Sequence, residues 1–410
     1  MNFEKFVAKR LHTEKNVKHS ISKPILKMAI AAVSLSITVM ILSVSTSKGL
    51  QQKISAKVTG FTSDIQVTVL DLNQSLELSP IEVDSSLIAS LLDIDGVEYV
   101  QSQITKNALL KTDTDFEGIL VKGLSQDYNW AFIKEHLVEG ELPDYESSTK
   151  SNDVVISKVL AAKLDLKLGA KALVYFQGLK NNNALIRKFT IKGIYETGIE
   201  FFDDVYILAD SRHLQKINNW ENNQYSSLEI ITSPHVNKEA VYANVDLISP
   251  YDTRVRSAHD LYPQIFDWIN LFDLNTLVIL LIMILVASIN MISSLLIIIL
   301  ERTKMIGLLK SLGSHNYSIR KIFLYHAFYL LRRGLLIGNG IGLVFIGIQY
   351  YFEPIQLDPM HYYVKALPVS LSLENWLLIN LGSILICMLM LIIPSILIQK
   401  VEPIKALRYE

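Results

Sequence analysis

The stretch ERTKMIGLLKSLGSHNYSIRKIF, Glu301 to Phe323, decides how the rest of the chain is read: it is charged and helix-forming, yet flanked by apolar runs long enough to cross a bilayer. Met305, Leu308, Leu309 and Leu312 recur at helical spacing and form an apolar face beside Glu301, Lys304 and Lys310. Gly313 is the expected C-terminal cap of this short helix, and Ser314 the expected N-cap of the next. The product is an amphipathic helix at a membrane surface. On the residues alone it is either an interfacial connector or a docking knob for a partner on that side.

Working outward, apolar runs of about 20 residues occupy Ile25–Ser45, Leu277–Leu300, Gly334–Phe352 and Trp376–Ile398. Half of the 410 residues are hydrophobic and 19% are charged, too apolar for an ordinary soluble chain and too polar for one wholly inside a membrane. The roughly 230 residues between the first two runs have globular composition and room for one or two domains. The first run exceeds the ~7 to 15 residues of a signal-peptide core, and SVSTSKGLQQK is a poor cleavage site, so it reads as a retained anchor.

Basic residues orient the spans. Lys5, Lys9, Arg10, Lys15, Lys18 and Lys23 precede the first; Arg302, Lys304, Lys310, Arg320, Lys321, Arg332 and Arg333 separate the second and third; Lys400, Lys405 and Arg408 follow the fourth. An excess of Lys and Arg marks cytoplasmic loops. The loop between the third and fourth spans has only Lys365 against Glu353, Asp358 and Glu374, and is rimmed by Tyr350, Tyr351, Tyr362, Tyr363 and Trp376. The expected layout is therefore a cytoplasmic 1–24, span 25–46, outer domain 47–272, span 273–300, cytoplasmic 301–333, span 334–352, outer loop 353–375, span 376–399 and cytoplasmic 400–410.

The outer domain reads as mixed α and β. FTSDIQVTVLDL and VEYVQSQI alternate as strands, and SSLIASLLDIDG is a short helix ending near Gly96. A second unit is expected to begin near Asn152, with a helix, a turn at Gly169 and two strands, before SSLEIITSPHVNKEAVYANVDLI returns to the first. In SAHDLYPQIFDWINLFDLNTL, Leu261, Ile265, Ile269 and Phe272 share a helical face. Helix from Ala258 to Lys304 would extend about 70 Å, more than twice the hydrocarbon thickness, so a stalk should protrude.

Within the spans, Ser288, Asn290, Ser293 and Ser294 need partners. Gly334, Gly338 and Gly342 make a small-residue face for close helix contact, either within the chain or at a gating or subunit interface. Pro394 is expected to kink the fourth span, and Arg332 and Arg333 to face head groups.

Chemistry is sparse. The sequence has no G-x-x-x-x-G-K-[ST], G-x-S-x-G or H-E-x-x-H, its nine His are scattered, and Cys387 is its single cysteine. The expectation is a non-catalytic chain with no bound metal or cofactor and no internal disulfide. A formal charge of −1 points to no nucleic-acid partner.

Glu301–Phe323 resembles the coupling region of the FtsX/MacB-like permeases, the type VII ABC transporters, and the closing VEPIKALRYE resembles that family's C-terminal pattern. LDPMHYYVKALPV (Leu357–Val369) and KIFLYHAFYLLRRGLLIGNGIGL are most similar to the lipoprotein-releasing LolC/LolE type. The resemblance implies an α-helical membrane protein with four transmembrane helices, a large extracytoplasmic α+β domain (Porter-like with an inserted Sabre-like subdomain) between helices 1 and 2, and an FtsX-like permease domain over about residues 273–405. It implies a bacterial inner-membrane location, a permease dimer (homodimer or LolC/LolE-type heterodimer) and two copies of a separate ATPase that uses ATP and Mg²⁺. The ATPase would be coupled through Glu301, Arg302, Met305, Ile306, Leu309, Lys310, Gly313 and Ser314, so that Leu309→Asp should weaken docking. It implies a lipoprotein substrate entering between the first two spans, where Val39, Met40, Val44, Phe266, Ile269, Phe272 and Leu277 offer apolar surface. QGLKNNNALIRK is short and lacks the prolines of a chaperone-binding hook, and Gly169-Ala170 replaces the usual Gly-Asp turn. Those departures point away from direct recruitment of a periplasmic chaperone and toward a LolE-like role or an unsplit homodimer. MacB-like efflux of peptides or toxic compounds, and FtsX-like regulation of cell-wall hydrolases, remain as rivals.

Overall fold

Backbone that crosses hydrocarbon must satisfy its N–H and C=O groups within its own segment, so long apolar runs fold as helices. The computed structural model describes residues 3–13, 22–71, 79–112, 115–145, 149–178, 184–234 and 236–400, and contains four helices long and apolar enough to cross a membrane. VEPIKALRYE, the centre of QGLKNNNALIRK, Lys15 and Lys18 lie outside the described residues. The chain divides into a helical unit (1–52, 268–356 and 366–410) and an outer domain (53–267 with 357–365).

The chain opens with α1 (Phe3–Thr13), which lies along a later helix of its own unit and which hydropathy alone does not flag. Next, α2 (Ser22–Thr62) runs 41 residues without a break, about 60 Å at 1.5 Å per residue. The first apolar run is its lower half.

The outer domain begins with β1 (Ile65–Val69), β2 (Ile81–Glu82) and α3 (Ser85–Leu92), the last capped by the Asp84 carboxylate accepting from the Leu87 N–H. Then come β3 (Val97–Lys111), β4 (Phe116–Leu124), α4 (Ala131–Glu135), β5 (Leu137–Gly140), β6 (Asp153–Ser157), α5 (Lys158–Lys163), β7 (Lys171–Gln177) and β8 (Ala184–Tyr195). The domain closes with α6 (Glu200–Asp203), β9 (Tyr206–Asp210), α7 (Ser211–Asn218), β10 (Gln224–Tyr225), β11 (Ser227–Thr232), α8 (Lys238–Ile248), β12 (Thr253–Ser257) and α9 (Ala258–Leu261). The expected elements are present, and Gly169 sits at φ +77 in its turn.

The nesting differs from expectation. The second unit does not begin near Asn152; it begins inside β3, a 15-residue strand long enough to serve two cores. The first half of β3 pairs with β11, and its end has β4 on one side and β7 on the other. Because β7 pairs β8, the path β3-β4-β9-β6-β8-β7 closes into a six-stranded ring filled by Ile104, Val121, Ile156, Val174, Phe189 and Ile207. The outer part of the same sheet, β12-β1-β11, carries α3 and α8 over Ile65, Val67, Leu228, Ile230, Val241 and Val245.

The expected single helix from Ala258 to Lys304 is broken twice. Tyr262 leaves helical geometry at φ −127, ψ 53, because Pro263 disfavours helix in the residue before it while suiting the first turn of the helix it opens. The helix α10 (Pro263–Glu301) then has 39 residues, about 58 Å, and Arg302 separates it from α11 (Thr303–Ser311).

The third span is longer than its apolar run: α12 (Asn316–Phe352) is one helix of 37 residues. After α13 (Pro359–Tyr362), α14 (Leu373–Met390) stops four residues before Pro394, whose missing N–H cannot bond the Met390 carbonyl. The short α15 (Ile392–Ser395) and a 3₁₀ turn, Ile396–Lys400, follow. The core of the helical unit joins Val33, Ile37 and Ile41 of α2, Met291, Leu295 and Ile299 of α10, Ile319 and Phe323 of α12, and Cys387 and Leu391.

Candidate functional site

At the base of the helical unit, α11 ends as Gly313 allows. Gly313 has φ +89, its N–H bonds the Lys310 carbonyl and the Ser314 N–H bonds the Leu309 carbonyl, the paired arrangement that closes a helix with a left-handed residue. Ser314 does not cap the next helix: α12 starts at Asn316, so His315 takes the N-cap position, without a side-chain cap bond. Gly313→Ala, forced into left-handed geometry, should lose about 1 kcal/mol, read as a lower melting temperature in detergent.

The apolar face of α11 is divided. Ile306 is fully buried, and Met305 and Leu309 pack beside it against the helical core. Leu308 and Leu312 are 52% and 75% exposed. Hence Leu309, expected as the docking residue, is largely occupied by its own subunit. Lys310 Nζ donates to the Ile398 and Gln399 carbonyls, at 2.9 and 3.3 Å, and so fastens α11 to the end of the fourth span. Glu301 is exposed at the end of α10, and Arg302 forms the elbow between the helices.

Gly334, Gly338 and Gly342 of α12 lie on α2. A Cβ on Gly334 would stand 2.6 Å from Val33, one on Gly338 2.6 Å from the Ser34 carbonyl oxygen, and one on Gly342 3.3 Å from Ile41. Thr38 Oγ1 donates to the Gly338 carbonyl at 3.1 Å, a side-chain-to-backbone bond between two helices brought close. Asn339 and Asn380 pair by their amides at 2.7 and 3.1 Å, and the Trp376 indole N–H donates to Asn339 Oδ1 at 2.6 Å. That network ties the third span to the fourth. Ser288 Oγ meets Cys387 Sγ at 3.8 Å, and the Asn290 amide returns to the Val286 carbonyl, so these span residues have partners.

Residues expected along a substrate path do not form one open surface. Met40, Val44 and Ile269 are buried at 1%, 7% and 4% exposure, Val39 and Phe272 are half-buried, and Leu277 alone of the set is largely exposed, at 54%. Phe266 belongs to the aromatic cluster of the outer domain, against His259. The reason is local: α2 and α10 are joined there by Lys48–Asp273 at 2.9 Å and by Gln51 Nε2 to the Ile269 carbonyl at 3.4 Å, and their facing apolar residues fill the seam.

Sequence reasoning missed a second site, the socket that receives the end of α2 in the outer domain. Phe61 stacks on Phe202 with ring centres 4.7 Å apart and meets Tyr206 edge-on at 5.2 Å. Lys122 of β4 reaches under it; its Nζ donates to the Phe61 carbonyl at 2.7 Å and to Glu229 Oε1 at 2.8 Å, and lies 5.2 Å from the Phe61 ring centre. Gln101 donates to Glu229 Oε2 at 2.8 Å. Burial pushes the Glu229 carboxyl above its usual range, and Lys122 pulls it back. Nearby, Asp64 accepts from the Thr232 N–H and hydroxyl, both at 2.9 Å, and pairs with Lys238. Polar residues on alternate strand positions gave no sign of this, since each looks solvent-facing until its neighbours are known.

Comparisons with known proteins follow the same division. A family model described as MacB-like periplasmic core domain matches residues 28–248, and one described as FtsX-like permease C-terminal matches residues 277–403. The lipoprotein-releasing system transmembrane protein LolC of Neisseria meningitidis serogroup B is 21% identical over 401 residues, covering 93% of this chain and 94% of the relative. LolE of Haemophilus influenzae is 20% identical over 434 residues, covering 99% of each. Among solved structures, the extracellular domain of the noncanonic ABC-type transporter YknZ from Gram-positive bacteria aligns with TM-score 0.33 and 16% identity, covering 47% of this chain and 99% of that one. The periplasmic region of MacB from Actinobacillus actinomycetemcomitans aligns with TM-score 0.35 and 15% identity, covering 52% and 98%. With one model spanning more than half of its length and the other most of the remainder, the chain belongs to the FtsX/MacB-like family of ABC transporter permeases.

Proposed function

We propose that this permease extracts lipoproteins from the inner membrane for delivery to the outer membrane, driven by a separate ATPase that uses ATP and Mg²⁺. The observation that carries the reading is the alignment, over nearly the whole of both chains, with relatives named for lipoprotein release. The physics calls for a powered machine. Each buried CH₂ of a lipid anchor contributes ~0.8 kcal/mol, so a multiply acylated protein does not leave a bilayer unaided.

An ABC permease works with an ATPase and a permease partner. Here two ATPase copies would sit at α11, and the partner would be a second copy or a LolC/LolE-type companion. Delivery also calls for an acceptor that shields the acyl chains, a periplasmic chaperone met by this subunit or its partner.

The basic segments support a reading in which both termini and α11 lie in the cytoplasm and the large domain in the periplasm. Contacts inside the outer domain support that side for the loop between the third and fourth spans: Lys57 Nζ donates to the Tyr363 and Thr197 carbonyls at 2.8 and 2.6 Å, and Lys365 pairs with Glu196 at 3.3 Å.

Depletion of the protein followed by membrane fractionation tests the reading. Lipoproteins destined for the outer membrane should accumulate in the inner-membrane fraction. Their normal arrival at the outer membrane would sink it.

A further inference from the structure

We propose that Lys122, Glu229 and Gln101 are positioning residues that hold the end of α2 in one fixed seat, so that movement of this helix is passed to the outer domain without slack. The proposal rests on the ATP-driven reading above for its functional half only. The Lys122 and Glu229 side chains are 3% and 1% exposed. A charge pair so deeply buried gains little stability over apolar residues of the same size, because desolvation offsets the attraction. What such a pair supplies is direction. The ammonium ion takes the Phe61 carbonyl, one of the last four of α2 and so without a partner inside the helix. Glu229 fixes the ammonium, and Gln101, directly opposite Glu229 across the β11–β3 ladder, fixes the carboxylate. Gln101 Oε1 in turn accepts from the Asn129 N–H at 3.1 Å, so each group is held by another. A small cavity beside the pair is lined by Phe61 and Thr62 from α2 and by Leu261 and Tyr262 from the break before α10, which puts both helix ends next to the same charges.

The aromatic rings around Phe61 would still hold the helix by area without these charges, but rings slide over one another at little cost. A hydrogen bond to one carbonyl allows one register.

The test uses the full chain with Lys122→Met/Glu229→Leu, which removes both charges and keeps the volume. It should still fold, melting at or somewhat below the wild-type temperature, because loss of the ion pair itself is near neutral while the Phe61 carbonyl and the Gln101 amide lose their partners. With Cys387→Ser as background and spin labels at Ala56 on α2 and Asn244 on α8, both exposed and both in the outer domain, wild type should give one narrow distance distribution. The double variant should give one at least twice as wide. An unchanged width overturns the proposal. Lys122→Met/Glu229→Gln, which keeps the Gln101 contact, takes its place if the first variant does not fold, and is read the same way.

Reconstituted with its ATPase in lipoprotein-loaded vesicles, the double variant should hydrolyse ATP within about twofold of wild type and release at least tenfold less lipoprotein per ATP. Wild-type release per ATP from a variant with a widened distribution would overturn the transmission role. No release from the wild-type chain would instead count against the lipoprotein reading, and the distance measurement would still decide the seat.

Discussion

Leu308→Asp/Leu312→Asp is expected to leave the permease folded and strip it of its ATPase. The two leucines, one on α11 and one at its C-cap, lie one turn apart and are exposed, whereas Ile306, Met305 and Leu309 are spent on the core of the helical unit. If α11 seats in an apolar groove of the ATPase, two aspartates there bring unpaired carboxylates out of water. That costs several kcal/mol, at least a hundredfold in affinity. The measurement is co-purification from detergent of the ATPase that accompanies the wild-type chain, with the melting temperature taken in parallel. Wild-type recovery of ATPase would make α11 an interfacial connector whose leucines rest against head groups. Leu309→Asp is a poorer probe, because a carboxylate against Ile306 and the span helices disturbs the permease itself and confounds docking with folding.

That division of α11 shows where sequence stops being informative. Met305, Ile306, Leu308, Leu309 and Leu312 cover an arc of about 160° at 100° per residue, wide enough for two contacts, and only the neighbouring helices decide which half each takes. The spans themselves were legible, because apolar backbone must form helix and nothing else competes. So were the glycine spacing in α12 and the end of α11 at Gly313, both of which follow from geometry within a single helix.

Limits appeared wherever distant segments meet. A strand shared between two cores, as β3 is, looks in sequence like any long strand, so the sequence points to a nested unit near Asn152 whereas the fold starts it inside residues 97–111. Lys122, Glu229 and Gln101 come from three strands and carry no common spacing. Their meaning exists only once the sheet has brought them together. Met40 and Ile269 failed as surface residues for the same reason. An apolar residue on a long helix suits lipid, substrate and a neighbouring helix equally, and α2 and α10 cover one another there.

Gly338→Leu should be the most damaging single change in the spans. At this position α12 approaches α2 so closely that even the first added carbon would stand 2.6 Å from the Ser34 carbonyl oxygen and 2.8 Å from Ile37 Cβ. One obstacle is backbone and cannot rotate away. The helices must therefore separate, which breaks the Thr38 bond to the Gly338 carbonyl and opens the packing that runs from Gly334 to Gly342. Overpacking of this kind costs about 1 to 3 kcal/mol when a side chain is in the way, and more when the backbone is. Gly340 is the internal control. It lies two residues further along the same helix with nothing within 4 Å of an added Cβ, so Gly340→Leu should be neutral or gain up to about 1 kcal/mol from helix propensity. Thermal unfolding of the two variants in the same detergent, followed by size-exclusion, should show Gly338→Leu melting far below wild type or aggregating while Gly340→Leu stays at or above it. Equal melting temperatures would mean that the glycine face is not where α2 rests, and would return it to the subunit interface as the surface on which a second permease closes.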